Sequence, residues 1–173
     1  MGLDITAYRK LAPANGNESF DETGELKYED GWEQFYKNPD FPGRADDIQD
    51  RHAYKAEDSE GFCAGGYGGY NRWRDQLAEL AGYPLTKYME YGQEQHSHAA
   101  ACWGGAEGPF SELINFSDCE GVIGAAVSAK LAKDFADFQT KADAHQDERF
   151  RNKYAEWRKA FEMAADAGAV RFH

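Results

Sequence analysis

Three segments carry apolar residues at the spacing of an α-helix, and they restrict the fold more than any other feature of the sequence. The segments are residues 71–81, 122–141 and 147–167. Side chains three and four positions apart share one helix face, so each stripe predicts an amphipathic helix. Among the stripe residues we predict four that belong to the core, namely Leu131, Phe135, Trp157 and Phe161.

The ends of the first and third predicted helices carry the residues that terminate helices. Asn71 is a suitable N-cap for the first helix, because its side chain can accept hydrogen bonds from free amides of the first turn. Gly82 and Gly168 follow the last apolar positions, where a glycine in the left-handed conformation commonly ends a helix. Pro84 prevents the first helix from continuing.

Short segments near both ends of the chain predict strands. Residues 3–8 alternate apolar and polar side chains, which is typical of a strand with one buried face. We expect residues 169–172 to form a last strand beside the first, and residues 62–66 to form another. The sequence therefore predicts an α+β fold, a small single domain over residues 1–173 with three main helices packed on a short, mostly antiparallel sheet.

The remaining segments lack a clear periodicity and are interpreted as loops or short elements. Residues 13–30 are rich in Asn, Gly, Glu and Asp and are interpreted as a loop or a poorly ordered hairpin, with a turn at Thr23–Gly24. The other interpretations are a helical turn or aromatic anchor at 31–36, a charged segment with a short surface helix at 44–60, an irregular loop after a short strand at 87–108, and a short helix or strand at 110–116.

The chain is strongly acidic, with 31 Asp and Glu residues against 19 Lys and Arg residues and a formal net charge of −12. Such a field repels phosphates, which disfavours direct binding of DNA or RNA. The acid-rich segments 18–33 and 40–60 form either a solvated face or a ridge that meets a basic partner. Neither a signal peptide nor a membrane-spanning run is recognisable, so we expect a cytoplasmic protein.

Cysteine and histidine residues offer little support for a structural metal or a disulfide. The three cysteines, Cys63, Cys102 and Cys119, are odd in number and form no CxxC motif. His96 and His98 could bind one metal from an extended strand, but no further ligands are evident. We therefore predict neither a metal site nor a cofactor, and no disulfide.

The most unusual stretch is residues 61–74, where a glycine-rich run leads into the first predicted helix. Glycines allow the backbone to approach a ligand closely, and a helix N-terminus favours anions. Tyr67 and Tyr70 could stack on a planar ring, and Arg72 and Arg74 could pair with phosphate or carboxylate. The alternative is a tight strand-to-helix turn whose tyrosines pack on the core.

Helix geometry separates the two arginines of this stretch. Arg72 and Arg74 are two residues apart and cannot point in the same direction from a helix. Trp73 between them is expected to face the core. Only one of the two arginines is therefore expected at a site, and the sequence does not decide which.

A second polar stretch, residues 115–121, precedes the next predicted helix. Asp118 and Glu120 could serve as a general base or as metal ligands, or they could satisfy the first amides of that helix. If this loop folds beside the glycine-rich stretch, it adds hydrogen-bonding groups to the same site. The predicted ligand-binding residues are then Tyr67, Tyr70, Asn71, Arg72, Arg74, Asn115, Ser117 and Asp118; no catalytic residue is predicted.

Five segments resemble a widespread uncharacterised family encoded by phages and prophages. They are MGLDITAY at the start, NPDFPGR at 38–44, GGYNRWRDQLAELAGY at 68–83, GPFSELINFSDCEGVIG at 108–124 and WRKAFEMAADAGAVRFH at the end. The resemblance covers nearly the whole chain, and it implies that residues 15–35 are a variable acidic loop. It implies an accessory protein of a mobile element, acting on host defence or metabolism in a bacterial cytoplasm, and it carries over no functional residue.

Three hypotheses of function follow from these features. The first is a non-enzymatic protein that sequesters a small, anionic, ring-containing ligand such as a nucleotide. The second is an acidic inhibitor of a host protein, one that itself binds nucleic acid. The third is a small hydrolase that uses Asp118, Glu120 or a histidine.

Overall fold

The computed structural model describes residues 2–16, 20–27 and 31–173. Its strands in chain order are β1 (Leu3–Arg9), β2 (Ala12–Pro13), β3 (Glu33–Phe35), β4 (His52–Lys55), β5 (Asp58–Gly65), β6 (Thr86–Glu90), β7 (Gln93–Ser97), β8 (Gly121–Gly124) and β9 (Ala169–Phe172). Its helices are α1 (Tyr67–Ala81), α2 (Ala99–Trp103), α3 (Ser111–Ile114), α4 (Ala125–Asp137), α5 (Gln139–Asp143) and α6 (Glu148–Ala164).

An antiparallel sheet of four strands, in the order β5–β1–β9–β8, forms the centre of the fold. Alternate residues of a strand point to opposite faces, so the two faces of this sheet carry different side chains. Ile5, Val170 and Phe172 face the helices α1, α4 and α6 and join the larger core. Tyr8 and Ala169 belong to a smaller core on the opposite side.

The larger core is rich in stacked aromatic rings. Trp157 of α6 lies at its centre, with Tyr70 and Trp73 of α1 stacked on it at 5.6 Å between ring centroids. Phe161 stacks on Trp157 from the next turn of α6 at 5.7 Å. Burying these large rings removes most of their apolar surface from water, and this burial holds the three long helices against the sheet.

The smaller core joins the central sheet to a second sheet, β2–β4–β3. Phe35 of β3 lies between Tyr8 and Tyr54, with edge-to-face ring contacts at 5.2 and 5.6 Å. Ion pairing adds to this contact, since Arg171 and Glu33 approach to 3.1 Å. Within the described part of the chain, the remaining strands, β6 and β7, pair only with each other.

The mixed α and β composition and the antiparallel sheets agree with the prediction, whereas the helix count differs. The three longest helices, α1, α4 and α6, overlap the three predicted segments, and three shorter helices are added to them among the described residues. The four predicted core residues are fully buried. None of the helices in the described part of the chain has the length and apolarity needed to cross a membrane.

The predicted helix over 122–141 is wrong at both ends. Residues 122–124 belong to β8, because they pair with β9 in the register Ile123 to Val170. Helix α4 starts after Gly124, where the Asp47 carboxylate accepts a hydrogen bond from the Ala126 amide at 3.3 Å. The helix then ends at Phe138, and α5 is a separate turn. Pairing with a distant strand therefore takes precedence over the local apolar stripe.

The start of the first helix and the segment after Gly31 also differ from prediction. Helix α1 begins at Tyr67 after an extended Gly66, so Asn71 lies inside the helix and is not its N-cap. The predicted helical turn at 31–36 is the strand β3, and the predicted surface helix at 44–60 gives way to β4 and the start of β5. These strands are stabilised by pairing across the sheet, which local sequence does not reveal.

The loop segments contain more regular structure than the sequence indicates. The predicted irregular region 87–108 contains the hairpin β6–β7 and the helix α2. The short element at 110–116 is helical and forms α3. The predicted turn at Thr23–Gly24 is present, and the Asp21 carboxylate accepts from the Thr23 amide at 2.8 Å. Residues 17–19 and 28–30 of the predicted acidic loop lie outside the described residues.

Candidate functional site

The two stretches singled out in the sequence meet at Arg74. Its side chain is buried, with 6% of its surface exposed, and it reaches from α1 to the loop that follows α3. One guanidinium nitrogen donates to the carbonyls of Ile114 and Phe116, at 3.2 and 2.5 Å. The guanidinium also lies over the Tyr70 ring at 4.6 Å. Arg74 therefore fixes residues 114–118 against α1.

Asn71, one turn before Arg74, completes this connection. Its amide nitrogen donates to Asp118 at 3.1 Å, while its amide oxygen accepts from the Arg74 guanidinium. Arg74 and Asp118 also approach to 4.0 Å as an ion pair. A charge-assisted network of this kind holds the Asp118 carboxylate in one position.

Side chains within and beside the loop after α3 form hydrogen bonds with its backbone. Ser117 is buried, and its hydroxyl oxygen accepts from the amides of Cys119 and Glu120 at 3.2 and 3.0 Å. The amide of Asn38, 82 residues earlier, donates to the Glu120 carbonyl at 3.1 Å. Gly121 ends the loop with φ of 130°, and a β-carbon there would come within 3.0 Å of Asn38 and Phe116.

These contacts leave an open cleft between residues 38–41 and residues 115–120, which we call the loop cleft. Its volume is about 490 Å³, within the range of sites for small molecules. The ring of Phe41 packs on Phe116 at 5.1 Å and forms part of its floor. The lining residues are Asn38, Pro39, Asp40, Phe41, Arg74, Trp103, Asn115, Phe116, Ser117, Asp118, Cys119 and Glu120.

The charge of the loop cleft is negative. Asp40, Asp118 and Glu120 line it, against the single cation Arg74. Arg74 is turned toward backbone carbonyls and the Asn71 amide, so its hydrogen-bonding capacity is directed into the protein. The exposed indole of Trp103, with 43% of its surface accessible, offers a flat apolar face. The arrangement suits a ring that donates hydrogen bonds, and it repels a phosphate.

The structure brings together five of the eight predicted site residues. Asn71 lies behind the loop cleft as a partner of Asp118, and the other four line the cleft, namely Arg74, Asn115, Ser117 and Asp118. The sequence left open which arginine faces the site, and the structure places Arg74 there. Arg72 is exposed and does not line the cleft.

The two tyrosines of the glycine-rich stretch do not line the loop cleft. Tyr70 is fully buried in the aromatic core, and its hydroxyl has no hydrogen-bond partner among the residues that the structure describes. Burial raises the pKa of that hydroxyl far above its usual value, and the nearby Asp118 adds to the effect. Tyr67 is exposed in the first turn of α1 but is not among the lining residues. The prediction that both rings face one ligand is therefore wrong for Tyr70.

Eight lining residues lie outside the predicted ligand-binding set. Four of these eight come from segments that the sequence does not connect with the site, namely Asn38, Asp40, Phe41 and Trp103. The first three belong to the segment NPDFPGR, whose two prolines and glycine mark an ordered turn. Asn38 stabilises that turn by accepting from the Asp40 amide at 3.1 Å. The signal for the turn is in the sequence, but its proximity to Asp118 depends on tertiary structure.

The thiols and imidazoles considered in the sequence do not form a metal centre in the described part of the chain. No three His, Cys, Asp or Glu side chains there are grouped to hold a metal ion. His96 lies 3.9 Å from Glu94 on the outside of a hairpin, whereas the His98 ring contacts the Tyr83 carbonyl at 2.7 Å. Cys63 and Cys119 are free and exposed, and Cys102 is free and buried.

A second cleft of about 600 Å³ lies on the other side of Asn115. Its cation Lys130 is paired with Glu112 at 2.5 Å and with Asp134 at 2.8 Å. Arg44 in this cleft donates to the carbonyls of Glu112 and Asn115. These groups brace α3 against α4 and the 38–44 segment, so the polar side chains of this cleft have an evident structural role.

No protein-family model, no curated protein and no solved structure matches this chain. Function therefore has to be inferred from the loop cleft and from the surface chemistry of the molecule.

Proposed function

We propose that the chain is a non-enzymatic binding protein that sequesters a small ring-containing ligand of the nucleobase or nucleoside type. The observation that carries this proposal is the network around Arg74, which fixes the Asp118 carboxylate at the edge of a cleft that also presents the Trp103 indole. A flat ring surface beside immobilised hydrogen-bond acceptors is the usual composition of a site for a polar heterocycle.

The chemistry of the lining residues favours particular ligand groups. A planar base would lie against Trp103, since stacking on an aromatic side chain is worth roughly 1–3 kcal/mol per base. Carboxylates accept hydrogen bonds from ring N–H and exocyclic amino groups, so Asp118 would recognise guanine, adenine or cytosine. The amides of Asn38 and Asn115 can both donate and accept.

This proposal changes the ligand charge that was expected from the sequence. The anionic ligand was inferred from Arg72 and Arg74, but Arg72 lies away from the cleft and Arg74 is directed at backbone carbonyls. Three acidic residues line the same cleft. A neutral or cationic ring therefore fits better than a nucleotide, and a terminal phosphate has to remain outside in solvent.

The resemblance to phage- and prophage-encoded proteins places the proposed binding in a bacterial host cell, as part of the same proposal. An accessory protein of a mobile element that sequesters a nucleobase-containing molecule would lower the free concentration of that molecule in the host cell. This is the sense in which we propose an action on host defence signalling or host metabolism.

Isothermal titration calorimetry with adenosine, guanosine and cytidine, and with their 5′-monophosphates, tests the proposal. We expect at least one nucleoside to bind, more tightly than its monophosphate and without turnover. Asp118→Asn should weaken binding by about ten-fold or more, because loss of a charged acceptor typically costs ~1.5–3 kcal/mol. Trp103→Ala should weaken binding of all ligands in the panel.

Arg72→Ala is the matched control, because Arg72 is exposed on α1 outside the loop cleft. It should leave both affinity and stability unchanged. Absence of heat with every member of the panel would contradict the proposal. Release of free base or phosphate during the titration would instead favour the hydrolase hypothesis.

A further inference from the structure

The hairpin β6–β7 stands apart from both sheets of the protein. Its strands pair in the register Thr86 to Ser97 through Glu90 to Gln93, and they pair with no other strand among the described residues. Only two residues, Tyr91 and Gly92, connect them. A two-stranded hairpin is only marginally stable by itself, so one that buries little of its surface has to be stabilised by other contacts.

The base of the hairpin is firmly attached to the body of the protein. Asp75 of α1 accepts from the Ser97 hydroxyl at 2.6 Å and from the Ala99 amide at 3.0 Å. On the other strand, β6, the ring of Tyr88 contacts the ring of Trp103 in α2 edge-to-face, at 5.2 Å between centroids. These contacts hold the base of the hairpin against α1 and α2 and leave its tip in solvent.

The tip has an unusual residue in a strained conformation. Tyr91 and Gly92 have φ of 48° and 78°, and positive φ at both central residues defines a type I′ turn. Asn or Asp is favoured at the first position, because a positive φ is energetically unfavourable for a residue with a bulky side chain. Tyr91 is 99% exposed, so packing in this chain does not compensate for that cost. Strain of this kind is typical of functional positions.

The exposed apolar surface of the described residues is concentrated on this hairpin. Six large apolar side chains are exposed in the described part of the chain. Three of them, Leu85, Met89 and Tyr91, lie within seven residues of each other, in the hairpin or directly before it. Glu90 and Glu94 flank the tip, and Lys87 of β6 pairs with Glu94 at 2.9 Å. Exposed apolar side chains with charged neighbours are typical of a protein-binding surface.

We propose that this hairpin is a docking element that inserts Tyr91 and Met89 into an apolar pocket of a protein partner with a basic rim. The formal net charge of −12 would steer a basic partner toward the hairpin. The same charge repels a second copy of this chain. A basic protein partner is therefore favoured over self-association through the open strand edges of the hairpin. This proposal is independent of the ligand of the loop cleft.

Site-specific photo-crosslinking in the full chain tests the docking element. A benzophenone amino acid replaces Tyr91 and, as the matched control, the exposed Tyr67 of α1. Each protein is irradiated in a lysate of the source organism, and any cross-linked protein is identified by mass spectrometry and then purified. We expect position 91, but not position 67, to cross-link to one protein, through peptides that line an apolar pocket bordered by Lys or Arg.

Titration of that purified partner with Tyr91→Asn separates docking from folding. Asparagine suits the type I′ turn, so the variant should unfold at the same or a higher temperature than the wild type. Its affinity for the partner should nevertheless fall by about ten-fold or more, as expected for a central aromatic anchor. Added salt should slow association.

Three results would overturn the proposal. They are equal cross-linking from positions 67 and 91, cross-linking of position 91 only to a second copy of the chain, and unchanged affinity of Tyr91→Asn for the identified partner. A nucleoside titration of the same variant checks independence, because ligand binding in the loop cleft should be unaffected.

Discussion

Gly168 shows how a single residue controls the junction between the last helix and the last strand. A β-carbon at this position would overlap the carbonyl oxygen of Tyr8 and would lie 3.1 Å from the α-carbon of Ala164. Neither neighbour can move easily, because Tyr8 belongs to the central strand β1 and Ala164 to the end of α6. Close backbone approach, and not a turn conformation, therefore requires glycine here.

We predict that Gly168→Ala destabilises the protein by about 1–3 kcal/mol, the usual cost of overpacking a rigid site. Urea unfolding followed by tryptophan fluorescence measures the change. Gly69→Ala is the control, because a β-carbon at Gly69 meets open space and alanine favours the helix in which it lies. Equal stability of the two variants would show that strand β1 and helix α6 can separate at little cost.

Some residues of the candidate site can be predicted from the sequence, and others cannot. The segments containing Arg74 and Asp118 were recognised by their unusual composition, and these residues do meet. The burial of Tyr70 agrees with the alternative in which the tyrosines of this turn pack on the core. The sequence does not decide between the two, because the helix face of Tyr70 is fixed only once the start of α1 is known. Asp40 and Trp103 enter the site from distant segments, and no local pattern records that proximity.

At the scale of elements, helix α6 illustrates how a cap and an apolar face act together. Asp147 is the N-cap, and its side chain accepts from the amides of Arg149 and Phe150. The Gln76 amide of α1 donates to the same carboxylate at 3.1 Å. The hydrogen bond from Gln76, followed by those from the helix amides, lowers the pKa of Asp147 below its usual 3.8.

We predict that Asp147→Ala lowers the thermal unfolding temperature at neutral pH, whereas Asp147→Asn stays close to the wild type because asparagine is an equally good cap. A lowered carboxyl pKa contributes stability above the unfolded value and loses it as pH falls through the folded value. The difference between wild type and Asp147→Ala should therefore shrink as pH falls below 3.8. A difference that is constant with pH would contradict this role for the carboxylate.

The elements that were predicted correctly are those whose stabilising contacts are local. The stripe of α6 repeats at helical spacing and ends at Gly168, so its position follows from the sequence. Strand β8 lies within the same apolar run as α4, and only its pairing with β9 distinguishes the two. Hairpin β6–β7 lacks a simple alternation, and its Tyr–Gly turn is not a favoured signal. The sequence therefore predicts one short strand near the hairpin, but neither the pairing of β6 with β7 nor the strand β8.

At the scale of the whole molecule, the fold is closed by contacts between the two ends of the chain. Strand β9 lies between β1 and β8, and it pairs with β1 in the register Ile5 to Phe172. These paired residues are far apart in sequence, and they incur a large loop-closure entropy before they contribute stability. We infer that the central sheet forms late, after the local helices.

We predict that removing residues 169–173 abolishes cooperative unfolding. The deletion takes away a central strand, leaves β1 and β8 with unpaired edges, and removes the fully buried Val170 and Phe172 from the core. Loss of two such side chains alone costs roughly 4–8 kcal/mol, which is comparable to the total stability of a domain of this size. Removing only His173 is the control, because it costs the hydrogen bonds of His173 to Asp4 and Thr6 but leaves Val170 and Phe172 of β9 in place.

Near-ultraviolet circular dichroism reports this prediction directly, because Phe172 lies 5.5 Å from the Trp157 ring at the centre of the core. The shorter deletion should keep the aromatic signal and a sigmoidal thermal transition. The longer one should lose both, while retaining part of the helical signal from α1, α4 and α6. If the longer deletion still unfolded cooperatively with its aromatic signal intact, the helices and the remaining strands would form a core without β9, and closure by the chain ends would be dispensable to the fold.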